Sequence, residues 1–133
     1  MAWQFSSQQP IYLQLVDELS MRIFNGTYGK GERLPSVREL AVIAAVNPNT
    51  MQRALSELES RGLVSTQRNS GRTVTGDETV IEGARSLRAR QLCAGFLAEM
   101  YALGMDRQKA CALLKEQEPE QVFSKEDGNG TNS

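Results

Sequence analysis

The side chains best suited to chemistry stand together at the start of one short segment, Asn47-Pro48-Asn49-Thr50-Met51-Gln52-Arg53. Amide, hydroxyl and guanidinium groups are the ones that hydrogen-bond to base edges and phosphate oxygens. Asn47 suits a helix N-cap, and Pro48 suits the first helical position, where a missing N–H costs nothing. The segment therefore predicts the beginning of a helix that carries a nucleic-acid-binding face.

The apolar residues of this predicted helix recur at helical spacing and form one stripe: Met51, Ala54, Leu55 and Leu58. Asn49, Arg53 and Ser56 fall opposite the stripe, with Thr50 and Gln52 on its flanks. One face is expected to pack and the other to contact a ligand. Arg53 has an alternative use, because Glu57 four residues later could pair with it along the helix.

The charges of the chain are divided along its length. The net charge is −1, and there is no histidine, the commonest general base, so much enzyme chemistry is disfavoured. Residues 30–72 hold seven basic and four acidic side chains, whereas residues 75–133 hold seven basic and ten acidic ones. A basic segment around the polar helix suits an anionic partner. Scattered solvated charges are the alternative explanation.

Two earlier helical patterns must position this helix. From Pro10 to about Gly26 apolar residues recur every four positions, which predicts a first helix. Ser36 followed three residues later by Glu39 predicts a capping box at the start of a second helix. Only residues 45–48 separate the second helix from the third. That tight connection is typical of a helix-turn-helix.

A β-hairpin is predicted after Gly62, with strands over 63–67 and 72–75. Three helices followed by a hairpin make a winged helix, so the predicted fold class is α+β and mostly α. Arg68 and Arg72 flank the hairpin tip, where they could reach a minor groove or phosphate backbone. A polar, solvated turn is the alternative.

A long helix over 79–103 and a last helix from the N-cap Asp106 to about Gln117 are predicted to form an antiparallel hairpin. Two such helices cannot bury both apolar stripes by themselves, so we expect a homodimer; packing back onto the winged helix is the alternative. The expected interface residues are Leu92, Phe96, Leu97, Met100, Leu103, Leu113 and Leu114. The predicted domains are 1–76 for DNA binding, 77–118 for dimerisation and 119–133 as a disordered tail.

The remaining composition predicts neither a cofactor nor a metal site. Cys93 and Cys111 lack a CxxC spacing and are expected to be reduced, packed thiols. No apolar run is long enough to cross a bilayer, and no secretory leader pattern is present. We therefore expect a cytoplasmic protein that does not interact with membranes.

The segment from Pro10 to Val74 resembles the winged-helix DNA-binding domain of the GntR family of bacterial transcription regulators. Three blocks carry most of the resemblance: Pro10-Ile11-Tyr12-Leu13-Gln14-Leu15, residues 31–41 and Asn47-Pro48-Asn49-Thr50. The continuation 58–63 and the hairpin Gly71-Arg72-Thr73-Val74 complete it. Trp3-Gln4-Phe5 and the short C-terminus resemble the YtrA subgroup. The glycine usual before Ser70 is replaced by Asn69.

The resemblance implies a dimeric repressor on a palindromic operator, commonly near its own operon or that of a transporter. It also implies a set of DNA-facing residues: Ser36, Arg38, Asn47, Asn49, Thr50, Gln52, Arg53, Arg68, Ser70, Gly71 and Arg72. Arg38 and Gln52 suit base contacts, whereas Ser36 and Thr50 suit phosphate contacts. A protein-interaction module is the alternative function, and an enzyme is a remote third. The sequence does not identify a small-molecule effector.

Overall fold

The structure, a computed structural model, describes residues 3–68 and 71–117. Five helices and one two-stranded antiparallel hairpin follow each other in the predicted order. Their bounds are α1 Ile11–Phe24, α2 Val37–Ala44, α3 Pro48–Ser60, β1 Val64–Gln67, β2 Gly71–Val74, α4 Glu78–Ala102 and α5 Arg107–Glu116. The predicted winged helix with two C-terminal helices is confirmed. The tail predicted over 119–133 lies outside the described residues.

The core of the winged helix is built from the apolar stripes of its three helices. In α3 the four predicted residues, Met51, Ala54, Leu55 and Leu58, are buried. They pack with the buried face of α1 (Leu15, Val16, Leu19 and Ile23) and with that of α2 (Leu40, Ala41 and Ala44). Burial of the Leu, Ile, Val and Met side chains among them contributes about 1.5–3 kcal/mol each, which makes these stripes the main source of stability.

The turn between α2 and α3 is tight because Ala45 adopts a left-handed conformation with φ 59°. Its backbone N–H still hydrogen-bonds to Val42 O at 3.2 Å, so the helix end is capped. An L-residue in this region costs roughly 1–2 kcal/mol, and the buried helices on either side compensate for it. The turn therefore sets the direction in which α3 leaves α2.

The second strand of the hairpin, β2, pairs on both of its edges. Val64 faces Val74 in the β1–β2 register, and both side chains are buried. On its other edge β2 pairs with the segment before α2: Leu34 N donates to Arg72 O at 2.9 Å and Val74 N donates to Glu32 O at 2.8 Å. No local sequence pattern predicts this third backbone segment. It ties the wing to the beginning of α2.

The chain divides into two compact units, one ending at Glu82 and the other beginning at Gly83. The boundary predicted from the sequence lies after residue 76. The first turn of α4 belongs to the winged-helix unit, since Ile81 is buried and Glu78 pairs with Lys30 at 3.4 Å. The boundary therefore falls within α4, Glu78–Ala102.

The second unit has almost no core of its own. Among its described residues, 83–117, only Ala110 is buried, whereas Leu92 is 57% exposed and Leu103 is 72% exposed. The expectation that Cys93 and Cys111 are packed is wrong for the single chain, because both thiols are free and exposed on these helices. No helix in the described ranges is long and apolar enough to cross a membrane.

Candidate nucleic-acid interface

The outer face of α3 carries the polar side chains that the sequence singled out. Asn49, Gln52, Arg53 and Ser56 are exposed, and their spacing places them on one side of the helix. Thr50 is half-buried at the edge of this face. We call these five residues the recognition face. It holds amide, hydroxyl and guanidinium groups and no carboxylate, so it suits a ligand rich in acceptors, such as DNA.

Arg53 stacks on an aromatic ring from another helix. Its Cζ lies 3.8 Å from the ring centroid of Tyr12, at the beginning of α1. The alternative partner, Glu57, is occupied by Arg61, whose Nε donates to Glu57 Oε2 at 3.0 Å. A cation–π contact restrains the guanidinium while leaving its N–H groups available as donors. Tyr12 therefore orients Arg53 at the edge of the recognition face.

Arg38 lies in the first turn of α2, on the rim of an open groove of about 1100 Å³. Arg33 and Arg72 also line the groove, and its apolar wall includes Val42 and Ile43. Within the described residues, no carboxylate forms an ion pair with Arg38. The guanidinium of Arg38 is exposed and keeps its donors available next to the helix-turn-helix.

Two of the predicted DNA-binding residues are helix caps. Ser36 Oγ accepts from Glu39 N at 3.1 Å, and Ser36 N donates to Glu39 Oε1 at 2.8 Å, so the predicted capping box is present. Asn47 Oδ1 accepts from Asn49 N at 2.7 Å. These contacts set where α2 and α3 begin. The Asn47 amide NH₂ can still donate to a ligand.

Hydrogen bonds from Ser36 lower the pKa of the Glu39 carboxyl, and nearby Arg33 acts in the same direction. Glu39 is therefore ionised at neutral pH and stabilises the start of α2. In the same groove, burial raises the pKa of Tyr28, with Arg22 opposing and Glu18 reinforcing that shift. The Tyr28 hydroxyl consequently stays protonated at neutral pH.

The wing presents less positive charge than the sequence suggested. Arg68 is exposed at the end of β1, and Gly71 has φ +74°, a conformation that favours glycine. The side chain of Arg72 is only 16% exposed, and its Nε lies 3.8 Å from Glu59 Oε1 of α3. Arg72 therefore faces the recognition helix instead of extending into solvent. Ser70 and Asn69 lie outside the described residues.

The predicted dimerisation residues lie on α4 and α5. Leu92, Phe96, Leu103 and Leu114 are exposed, while Leu97, Met100 and Leu113 are half-buried. The stripes expected from the periodicity are thus largely accessible in the single chain. They are available for a partner surface.

Sequence reasoning missed two residues that organise the interface, Tyr12 and Glu59. The periodicity of the first helix does not indicate the role of Tyr12, because its stacking partner, Arg53, comes from α3. The role of Glu59 could have been found from the alternation of side chains along the strands. Val64 and Val74 point to the core. Thr66 and Arg72, each two residues away along its strand, therefore point to the same side. That side faces α3, where Glu59 lies.

Comparison with known proteins gives consistent matches. The family described as bacterial regulatory proteins of the gntR family matches residues 11–74. The HTH-type transcriptional regulator YhcF of Bacillus subtilis is 37% identical over 112 residues, covering 84% of this chain and 93% of that protein. The HTH-type transcriptional repressor YtrA of the same organism is 35% identical over 112 residues, covering 83% of this chain and 85% of that protein.

A solved structure supports the same assignment. The GntR family transcriptional regulator from Listeria monocytogenes is similar with a TM-score of 0.79 at 41% identity, covering 86% of this chain and 100% of that one. Such coverage includes the C-terminal helices as well as the winged helix. With the recognition face, the capped helix-turn-helix and the wing on one unit, the chain belongs to the GntR family of DNA-binding transcription regulators, in its YtrA subgroup.

Proposed function

We propose that this regulator is a cytoplasmic, dimeric repressor that binds a palindromic double-stranded DNA operator near its own operon or that of a transporter. The observation that carries the proposal is the recognition face of α3, which is largely exposed, is free of carboxylates and includes Arg53 stacked on Tyr12. The relatives that cover most of the chain are transcription regulators, and one is named as a repressor. We propose no enzymatic activity.

Base contacts are assigned to Arg38, Gln52 and Arg53. Arginine can donate two hydrogen bonds to guanine, and the Gln52 amide can pair with adenine. Thr50 and the backbone at the capped start of α3 are assigned to phosphates, since hydroxyl and N–H groups position a protein on the duplex. Arg68 is assigned to the DNA backbone at the wing.

The dimer is assigned to the apolar stripes of α4 and α5. Residues such as Leu92 and Leu114, each more than half exposed, are costly to leave in water, and a two-fold copy of the same helices is the simplest cover. Two winged helices related by such an axis would contact half-sites about 34 Å apart, one helical turn of DNA.

Selection of genomic fragments with the purified full-length protein tests the proposal. We expect enrichment of one or a few promoter fragments that contain an inverted repeat, and salt-sensitive binding of those fragments in a gel shift. Recovery of no promoter sequence above background, with binding equal for all fragments, would contradict sequence-specific recognition. A protein partner without DNA binding would instead support an interaction module.

A further inference from the structure

The carboxylate of Glu59 lies between the recognition helix and both strands of the wing. Thr66 N donates to Glu59 Oε2 at 3.0 Å, and the Thr66 hydroxyl donates to the same oxygen. The other oxygen, Oε1, lies 3.8 Å from Arg72 Nε. One acidic side chain of α3 therefore contacts β1 through Thr66 and β2 through Arg72.

Arg72 lies beside a carboxylate, at a distance longer than a hydrogen bond. Its side chain is 16% exposed, and its buried Nε has no hydrogen-bond partner among the residues that the structure describes. A distance of 3.8 Å to Glu59 is an ion pair and is longer than a hydrogen bond. A DNA phosphate can offer a shorter, charge-assisted hydrogen bond to the same guanidinium. Glu59 and a phosphate are thus competing partners for one side chain.

The backbone around Arg72 is fixed, so release would move the side chain alone. Arg72 pairs with Thr66 in the hairpin register, and its carbonyl accepts from Leu34 N at 2.9 Å on the opposite edge. A Cβ added to the preceding residue, Gly71, would lie 3.7 Å from Arg33 Nε. With β2 held on both edges, the Arg72 side chain has the Glu59 carboxylate as its ion-pair partner within the described residues.

We propose that Glu59 is a positioning residue that keeps Arg72 away from DNA and thereby limits the number of phosphate contacts made by the wing. This inference rests on the proposed function, because it assumes that the wing faces a duplex. Its consequence is a weaker sequence-independent affinity, since each phosphate contact contributes to binding at any DNA site. Specificity then depends more strongly on the recognition face.

Glu59→Gln separates the charge of Glu59 from its hydrogen bonding. The amide oxygen can still accept from Thr66, while the uncharged NH₂ group gives Arg72 no partner. Binding of the full-length protein to a mixed-sequence DNA duplex is measured over a series of salt concentrations. We expect Glu59→Gln to bind several-fold more tightly and to steepen the log–log salt dependence by about 0.9 for each added phosphate contact, one at each wing of the proposed dimer.

A double-mutant cycle with Arg72→Ala isolates the pair from the general effect of removing a negative charge. We expect Glu59→Gln to leave the salt dependence unchanged when Arg72 is already alanine. Equal steepening in both backgrounds would overturn the inference, because the gain would then come from net charge. Weaker binding by Glu59→Gln would also overturn it, since Glu59 would then be orienting the wing for DNA.

Thermal unfolding of all four proteins checks that the comparison is made between folded chains. If Glu59→Gln does not fold, Arg72→Ala is compared with the wild type alone. The inference then requires that Arg72→Ala reduce the slope of the salt dependence by clearly less than the value of one phosphate contact per wing. Loss of a full contact in that single variant would contradict the inference. Wild-type protein that binds neither the mixed duplex nor any genomic fragment would overturn the proposed function and this inference with it.

Discussion

Individual side chains at this interface are oriented by neighbours that come from other elements. Arg53 lies on the Tyr12 ring, 3.8 Å from its centroid, and Arg72 lies beside Glu59. Arg38 has neither kind of restraint among the contacts of the described residues. Preorganisation reduces the entropy lost when a long side chain binds a ligand, so in the proposed DNA complex we expect Arg53 to lose less entropy than Arg38.

Replacement of Arg38 by alanine should remove specific operator binding while leaving the fold intact. A side chain that contacts a base is worth about 1–3 kcal/mol of affinity, and removal should relax specificity at one operator position. Arg38 is exposed in the first turn of α2, so we expect no large change in thermal stability. A gel shift with the selected operator measures the effect. Arg107→Ala on α5 is the control, and normal affinity of Arg38→Ala would contradict the base-contact assignment.

Substitution of Tyr12 tests whether its ring orients Arg53. Tyr12→Leu removes the aromatic face, and we expect a loss of operator affinity of about 0.5–1 kcal/mol, the value of an exposed cation–π contact. Tyr12→Phe keeps the ring and should bind almost as the wild type does. Fluorescence anisotropy with the operator compares the two variants. Equal weakening by both would assign the effect to the hydroxyl instead of the ring.

At the scale of elements, helix caps decide where the DNA-facing helices begin. The reciprocal Ser36–Glu39 bonds fix the start of α2, and the Asn47 cap with Pro48 fixes the start of α3. Ala45 joins them in a left-handed conformation, so the turn needs no extra residue. Because the helix starts are fixed by local bonds, the polar side chains of both first turns occupy defined positions.

The capping box predicts a pH dependence of stability. The folded state lowers the pKa of Glu39, so the ionised form stabilises the fold above the ordinary carboxyl range, and this stability is lost as the pH falls through that range to the lowered pKa. Glu39→Gln still accepts from Ser36 N but cannot ionise. We expect the wild type to melt at a higher temperature than Glu39→Gln at neutral pH, and the difference to shrink in acid.

The pH dependence that Asp77 contributes does not disturb that comparison. Its pKa is also lowered, chiefly by the Thr79 side-chain and backbone hydrogen bonds, and this contribution is common to both proteins. It therefore cancels when their melting temperatures are subtracted. A difference that stays constant from neutral to acidic pH would show that the charge of Glu39 does not stabilise α2.

At the scale of the whole molecule, the winged helix has a core, whereas the described residues of the C-terminal unit, 83–117, bury almost nothing. The described part of the second unit buries Ala110 alone, although α4 is 25 residues long. Most stability of a helix in a protein comes from packing of its apolar face. The apolar residues of α4 and α5 therefore need a cover, which we assign to a second copy of the chain.

Charged residues in the exposed stripe should separate the dimer into monomers. Leu92→Glu with Phe96→Glu places two carboxylates in the expected interface, and both positions are exposed in the single chain. We expect a monomer by light scattering and weaker operator binding, because two half-sites are no longer bound together. Ala94→Glu with Ala98→Glu, on the opposite side of α4, is the matched control. A dimer that survives the first pair would place the interface elsewhere.

Much of the fold and of the candidate interface can be predicted from local sequence patterns. The helix starts at Ser36 and Asn47, the buried stripe of α3 and the exposed positions opposite it are set by capping and by helical periodicity. The hairpin and the GntR resemblance followed from turn residues and ordered motifs. These features were predictable because each depends on residues within a few positions of one another.

Only the tertiary structure decided which partners the charged side chains take. Arg53 and Tyr12 are 41 positions apart in sequence, and Glu59 meets Arg72 only because the wing folds back on α3. The pairing of residues 32–34 with β2 and the burial of Ile81 at the start of α4 arise in the same way. Periodicity assigns a residue to a face of its own element. What covers that face depends on how the elements pack. For this reason Arg72, which the sequence assigned to DNA, turns its guanidinium toward the carboxylate of Glu59 on the recognition helix.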